Sequence, residues 1–155
     1  VRRLRLAARR RPVDTDTEEG GGMSNSDKHI LVAEDNAALA SVVRFNLERA
    51  DFRVTVACNG RVAWEAVQEE TFDLIVTDQQ MPEMTGCEFC EKLRAVEEFR
   101  HIPVIMLTAK GMELELPRLK VELGIAATFL KPFSPREIVK AVEDHLEAVS
   151  EPVSP

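Results

Sequence analysis

The chain has 155 residues, 30% of them charged, and a formal net charge of −7. That length suits one domain with a substantial core, and the acidic balance excludes a general nucleic-acid binder, which needs a basic face. No apolar stretch approaches the roughly 20 residues of a membrane span.

The charge is unevenly placed. Residues 1–22 hold six arginines (Arg2, Arg3, Arg5, Arg9, Arg10, Arg11) against four acids (Asp14, Asp16, Glu18, Glu19), so the acidic excess belongs to the rest of the chain. The segment lacks the apolar core of a secretory signal. Gly20-Gly21-Gly22 leads into Met23, which reads as the functional start. Residues 1–26 are therefore expected to be a disordered, basic and Gly-rich head, upstream of Met23 for most of its length. Cys58, Cys87 and Cys90 do not make a disulfide framework, and without an export signal a reducing cytoplasm is expected.

The first strand lies within Asp27 to Glu34, centred on His29–Ala33. Leu39, Val42, Val43, Asn46 and Leu47 recur at helical spacing, which predicts an amphipathic helix over 37–50. Phe52 to Val56 alternates and is β-rich, a second strand. Asn59-Gly60 signals a turn, and Val62, Ala63, Ala66 and Val67 mark a helix ending near Glu70. Asp73 to Thr77 is a continuous apolar run, the pattern of a strand buried on both faces. Phe89, Cys90, Leu93 and Val96 predict a third helix, and Pro103 opens a fourth strand over 103–107.

Leu116, Leu119 and Leu123 suggest a short helix that tolerates Pro117 in its first turn and ends at Gly124. A fifth strand covers about 126–130. Ser134, Pro135 and Glu137 then have the order of a helix start, with Ile138, Val142, Leu146 and Val149 as the buried stripe. Residues 150–155 read as a flexible tail. Five alternations of strand and helix predict an α/β domain, a doubly wound (βα)5 parallel sheet over residues 27–149, with right-handed crossovers. No second or effector domain is expected.

Four of the strands end in residues suited to chemistry. The first runs into Glu34-Asp35, the third into Asp78, the fourth into Thr108 and the fifth into Lys131. Carboxyl ends of strands in an open parallel sheet line one crevice. Clustered carboxylates raise one another's pKa unless a cation joins them, and Mg²⁺ takes oxygen ligands while keeping exchangeable waters. Lys131 offers a mobile positive charge and Thr108 a hydroxyl donor, both suited to phosphoryl oxygens. A carboxylate nucleophile attacking phosphorus yields an acyl phosphate.

The residues Ile30 to Asn36, Asp78 to Gly86, Leu107-Thr108-Ala109-Lys110 and Lys131-Pro132-Phe133 resemble a response-regulator receiver domain of two-component signalling. The resemblance covers about residues 28–148. It implies a flavodoxin-like five-stranded sheet of order 2-1-3-4-5. It implies Asp78 as phosphoacceptor, taking a phosphoryl group from a histidine kinase or histidine phosphotransfer protein. Mg²⁺ would be held by Asp35, Asp78 and the backbone carbonyl of Gln80, with Glu34 acting through a water or orienting Asp35. Thr108 would bind a phosphoryl oxygen, Lys131 would pair with the phosphate, and the Lys131-Pro132 bond would be cis. The domain would catalyse only its own phosphorylation and dephosphorylation.

The expected protein is thus a single-domain switch without a DNA-binding or membrane segment, a monomer or a phosphorylation-dependent dimer. It would dock onto an unknown target through the last helix, strand five and the 110–123 segment. One position departs from the family: where receivers carry a switch aromatic, this chain has Thr128, with Phe129 one place later on the other face. A degenerate receiver acting as a phosphorylation-independent interaction module is the alternative, and the complete acidic set argues against it. A Mg²⁺-dependent phosphatase of the haloacid-dehalogenase type needs a second Asp at position 80, which is Gln. A nucleotide or flavin module needs a glycine-rich loop after strand one, where Glu34-Asp35-Asn36-Ala37 stands. Cys87-Glu88-Phe89-Cys90 falls in a helical pattern without a second pair and reads as helix packing, not as a metal or redox site.

Overall fold

The computed structural model describes residues 25–109 and 115–150, with side chains up to 147. The head up to residue 24, Lys110 with the following four residues, the Val149 side chain and residues 151–155 lie outside the described part.

A single 3-10 turn at Asn25–Asp27 opens the fold. The elements then follow as β1 (His29–Ala33), α1 (Ala37–Arg49), β2 (Arg53–Ala57), α2 (Gly60–Glu69), β3 (Leu74–Asp78), α3 (Gly86–Ala95), β4 (Val104–Thr108), α4 (Leu116–Leu123), β5 (Ala127–Leu130) and α5 (Pro135–Ser150). The strands form one parallel sheet of order β2-β1-β3-β4-β5. This is the doubly wound α/β fold that the alternation of elements predicts.

Side-chain alternation along the strands divides the core in two. Leu31, Ile75, Val104 and Met106 pack with Ala63, Val67, Phe89 and Leu93 on the face covered by α2 and α3. Ile30, Val32, Leu74, Val76, Ile105 and Leu107 pack with Val43, Leu47, Ile138, Val142 and Leu146 on the face covered by α1 and α5. Every residue of β1, β3 and β4 is buried, as a central parallel strand requires.

Local chemistry moves some boundaries. Phe52 is buried but does not start β2: its N–H donates to the Leu47 carbonyl (3.1 Å) and closes α1 instead. Helix α3 begins at Gly86, before the first periodic apolar residue. Thr85 and Glu88 form a reciprocal capping box there, Glu88 N–H to Thr85 Oγ1 (3.1 Å) and Thr85 N–H to Glu88 Oε1 (2.9 Å). Val42 faces outward on α1 beside the exposed Phe45, and the buried stripe is Ala40, Val43 and Leu47. Cys90 is buried and its thiol is pushed up to about 12 by that burial, so the C-x-x-C pair serves packing.

Arg94 ties the far ends of three elements together. Its Nε donates to the Leu123 carbonyl (2.7 Å), Nη1 to Arg100 and Ile102 (2.9 Å each) and Nη2 to Gly124 (3.2 Å). One guanidinium thereby joins the end of α3, the approach to β4 and the end of α4. Only a planar fork reaches four carbonyls in this way. We expect Arg94→Met to destabilise the domain by about 2–4 kcal/mol in urea unfolding, since it removes charge-assisted bonds and leaves carbonyls unpaired, and Arg94→Lys to recover less than half of that loss.

His29, at the start of β1, lies against Phe72 (4.4 Å between centroids), with Nε2 2.7 Å from Thr55 Oγ1. Burial holds its pKa below the ordinary 6.5, Arg53 adding to the effect while Glu70 and Asp73 oppose it. The unfolded chain therefore takes up a proton before the folded one. His29 accordingly favours the fold above pH 6.5 and loses that contribution as pH falls below it. Urea unfolding from pH 7.5 to 5.5 should show wild type losing stability relative to His29→Gln as the pH falls.

Candidate functional site

The carboxyl ends of β1, β3, β4 and β5 carry the residues singled out in the sequence. Glu34 follows β1, Asp78 ends β3, Thr108 ends β4 and Lys131 follows β5. Parallel register sets these ends side by side: Ala33 pairs with Thr77, Asp78 with Leu107, and Thr108 with Leu130. The Lys131 N–H donates to the Thr108 carbonyl at 2.7 Å, which anchors the start of the β5–α5 loop on β4. The peptide between Lys131 and Pro132 is cis, as the resemblance implies.

The amine of Lys131 lies 2.8 Å from Asp78 Oδ1 and 3.4 Å from Glu34 Oε1. Asp78 and Glu34 are only 3% and 2% exposed. Burial raises the pKa of both; Lys131 opposes the rise at each, and Asp35 adds to it at Asp78. Burial pulls the Lys131 amine down, but Asp78 and Glu34 more than offset this and leave it above its ordinary value. Among the described residues one amine thus pairs with two buried carboxylates, and a third, exposed carboxylate stands beside them at Asp35.

Ligand atoms of Glu34, Asp35 and Asp78 all lie within 4.8 Å of one another. Glu34 Oε2 accepts the Asn36 N–H (3.1 Å), and the buried Oε1 is ion-paired with the Lys131 amine at 3.4 Å without a well-formed hydrogen bond. Thr108 Oγ1 is buried and has no hydrogen-bond partner among the described residues. Unsatisfied buried oxygens are costly unless something completes them. Three clustered carboxylates fit a small hard divalent cation, and a buried hydroxyl fits an added oxygen acceptor. Gln80 is exposed in the loop two residues beyond Asp78.

The sequence reading gives Asp35 a direct ligand role and Glu34 a role through a water or on Asp35. The structure separates them, Glu34 buried beneath the site and Asp35 on its surface. It also reveals supports that the pattern of chemical residues did not show. The Gln79 carbonyl accepts the Gly86 N–H (2.9 Å), and Gln79 Oε1 accepts the Cys87 N–H (2.8 Å), closing the β3–α3 loop at its base. Gly86 permits this closure: a Cβ there would stand 3.0 Å from Gln79 Cα and nearer still to the Asp78 carbonyl oxygen. The sequence signal was Gly86 itself, a glycine opening a helix directly after a capping threonine. Thr128 is half-buried opposite Met106, and Phe129 packs with the α1/α5 side of the core, so the chain has its aromatic on the other face.

The family described as "Response regulator receiver domain" matches residues 30–143. Curated relatives include the alkaline phosphatase synthesis transcriptional regulatory protein PhoP of Bacillus subtilis, 39% identical over 119 residues, covering 75% of this chain and 48% of that protein. The transcriptional regulatory protein SrrA of Staphylococcus aureus is 38% identical over 122 residues, 78% of this chain and 47% of that protein. The chain therefore spans about half the length of the curated relatives it matches. Among solved structures, the Francisella response regulator 1452 receiver domain superposes with a TM-score of 0.73 at 26% identity, covering 79% of this chain and 99% of that one. The chemotaxis response regulator CheY4 of Vibrio cholerae gives 0.69 at 28% identity, with 76% and 97% covered.

Because burial and Asp35 disfavour the ionised form of Asp78 more than Lys131 supports it, the neutral isostere Asp78→Asn should stabilise the metal-free domain. Urea unfolding in the presence of a chelator should place the variant's midpoint above that of wild type.

Proposed function

The chain belongs to the response regulator receiver domain family, and from that premise we propose that Asp78 accepts a phosphoryl group from a phosphohistidine. The donor would be a histidine kinase or a histidine phosphotransfer protein. The observation that carries this reading is the Lys131 amine bridging the buried Asp78 and Glu34 carboxylates, with a buried Thr108 hydroxyl at the end of the neighbouring strand that has no hydrogen-bond partner among the described residues.

In the proposed reaction a carboxylate oxygen of Asp78 attacks phosphorus. A P–O bond forms as the P–N bond breaks, and the departing imidazole keeps the electron pair of that bond and takes up a proton. Lys131 holds Asp78 in place before transfer and is positioned to pair with a phosphoryl oxygen afterwards. Thr108 Oγ1 supplies a hydrogen-bond donor without a partner among the described residues. The side chains of Asp35 and Asp78 and the Gln80 carbonyl would hold Mg²⁺, with Glu34 acting through a water or on Asp35. When bound, the ion supplies charge neutralisation between the carboxylates and the incoming phosphoryl oxygens.

The added phosphoryl charge, about −1.5 to −2 at neutral pH, is large enough to reset a two-state surface. The output proposed is docking onto a protein target, or onto a second copy, through α4, β5 and α5. Val121 on α4 is 83% exposed and Leu130 at the end of β5 is 40% exposed, and apolar groups open to water on this face support that reading. With Thr128 in place of an aromatic, Thr108 and the segment leading into α4 would carry the change.

The test is mass measurement after incubation with a small phosphodonor and Mg²⁺. Wild type should gain the mass of one phosphoryl group, and Asp78→Ala should gain none. A gain that survives in Asp78→Ala would remove the assignment of the acceptor, and no gain in wild type would favour the phosphorylation-independent module.

A further inference from the structure

We propose that Gly60 and Arg61, in the first turn of α2, are positioning residues for the loop that follows Asp78. The inference deepens the reading above and rests on it, because the loop matters through the Gln80 carbonyl and the cation site. Residues 79 and 86 close the base of the loop through the bonds of Gln79, whose own N–H donates to the Leu107 carbonyl at 2.9 Å. Between these anchors the chain runs from Gln80 to Thr85. Two contacts from α2 reach that stretch.

The first is a backbone contact that depends on glycine. A Cβ at position 60 would stand 2.6 Å from Met84 Cβ and 2.9 Å from the Met84 carbonyl carbon, and nearer still to its oxygen. The second is an ion pair. Arg61 Nε donates to Glu83 Oε1 at 3.2 Å, while Nη1 holds Glu65 of the same helix at 2.7 Å, so the guanidinium is braced on α2 as it crosses to the loop. Glu83 has φ 72, a left-handed conformation that a residue with a side chain keeps only where its surroundings hold it. The platform is itself firm. Asn59 Oδ1 accepts the Val62 N–H at 2.8 Å and caps α2, and Ala63 and Val67 are buried in the same cluster as Phe89 and Leu93 of α3.

Carbon atoms pack at about 3.5–4 Å, so a methyl group at position 60 requires Met84 to withdraw by about 1 Å. Met84 lies four residues from Gln80 on the same short loop. Displacing a supporting residue by that much costs a metal site about 10- to 100-fold in affinity. Neither Gly60 nor Arg61 is given any contact with the phosphoryl group or the ion. Their action is entirely through the position of the loop.

The experiment compares wild type, Gly60→Ala, Arg61→Ala and Ala63→Gly in the full chain. Ala63→Gly weakens the same helix from a buried position and adds no atom against the loop. Two readouts are taken: amide resonances of the metal-free proteins, and the Mg²⁺ dissociation constant by calorimetric titration. Gly60→Ala should move the resonances of residues 79–86 and weaken Mg²⁺ binding about tenfold. Arg61→Ala, which introduces no clash, should shift both in the same direction by a smaller factor. Ala63→Gly should lower the unfolding midpoint and keep the wild-type constant. Wild-type resonances and affinity in both Gly60→Ala and Arg61→Ala overturn the proposal, as does an equal loss of affinity in Ala63→Gly. Absence of Mg²⁺ binding by wild type overturns the reading of the site instead. The metal-free resonances then decide the loop, unmoved signals at 79–86 in Gly60→Ala counting against the proposal.

Discussion

The structure is organised around a shortage of positive charge at one end of its sheet. Two carboxylates, Asp78 and Glu34, are buried there, a third stands at Asp35, and one amine, that of Lys131, faces both buried groups. A hydrophobic sheet would not collect acids in this way for stability, since like charges in a poorly hydrated site oppose folding. The arrangement makes sense as a place left incomplete. Its carboxylates outnumber the amine that faces them among the described residues, and the buried Thr108 Oγ1 has no hydrogen-bond partner there. The rest of the fold holds these groups together against their own repulsion, by fully buried strands whose registers leave little freedom at their ends.

Much of this was legible in the sequence because it depends on short-range patterns. Continuous apolar runs marked the buried strands, helical spacing marked Val43 and Leu47 as well as Ile138 and Val142 but missed Ala40, and four of the five strands ran into a conspicuous polar residue. The order of elements then brought Glu34, Asp78, Thr108 and Lys131 to one edge by topology alone. What was not legible depends on distance in space. Nothing in Glu34-Asp35 says which acid is buried, because that is decided by how β1 meets its neighbours. Phe52 reads as a strand residue, yet its backbone closes α1. Arg94 reads as one more charged residue on a helix, and its four carbonyl partners lie 6 to 30 positions away. The capping box of Thr85 and Glu88 was local and could have been read, and it would have placed the start of α3 correctly.

The two ends of the sheet are held by different physics. At the site end, Asp78, Glu34 and Lys131 are coupled by charge. At the opposite end, Arg94 bonds four backbone carbonyls and His29 packs among Thr55, Phe72 and Glu70. Helix α4 runs between these regimes. Its C-terminal end is pinned through Leu123 and Gly124, while its N-terminal end, at Glu115, has no side-chain cap. The two ends of α4 therefore differ in how they are held: a side chain from α3 bonds its last carbonyls, and no side chain caps its first turn.

The contact at Gly86 carries a lesson for how such chains diverge. The glycine bears no charge, binds nothing and would be invisible to a search for reactive groups, yet the backbone of Asp78 runs so close to it that a single methyl group has no room. A descendant of this protein could keep every acid, the threonine and the lysine and still lose the shape that makes them a site. Loss of function in a lineage would then begin in the packing of the loop and reach the reactive residues only later. Relatives that have diverged in this way should accordingly be sought first by what has filled the space beside Asp78, before any of these polar side chains has been replaced.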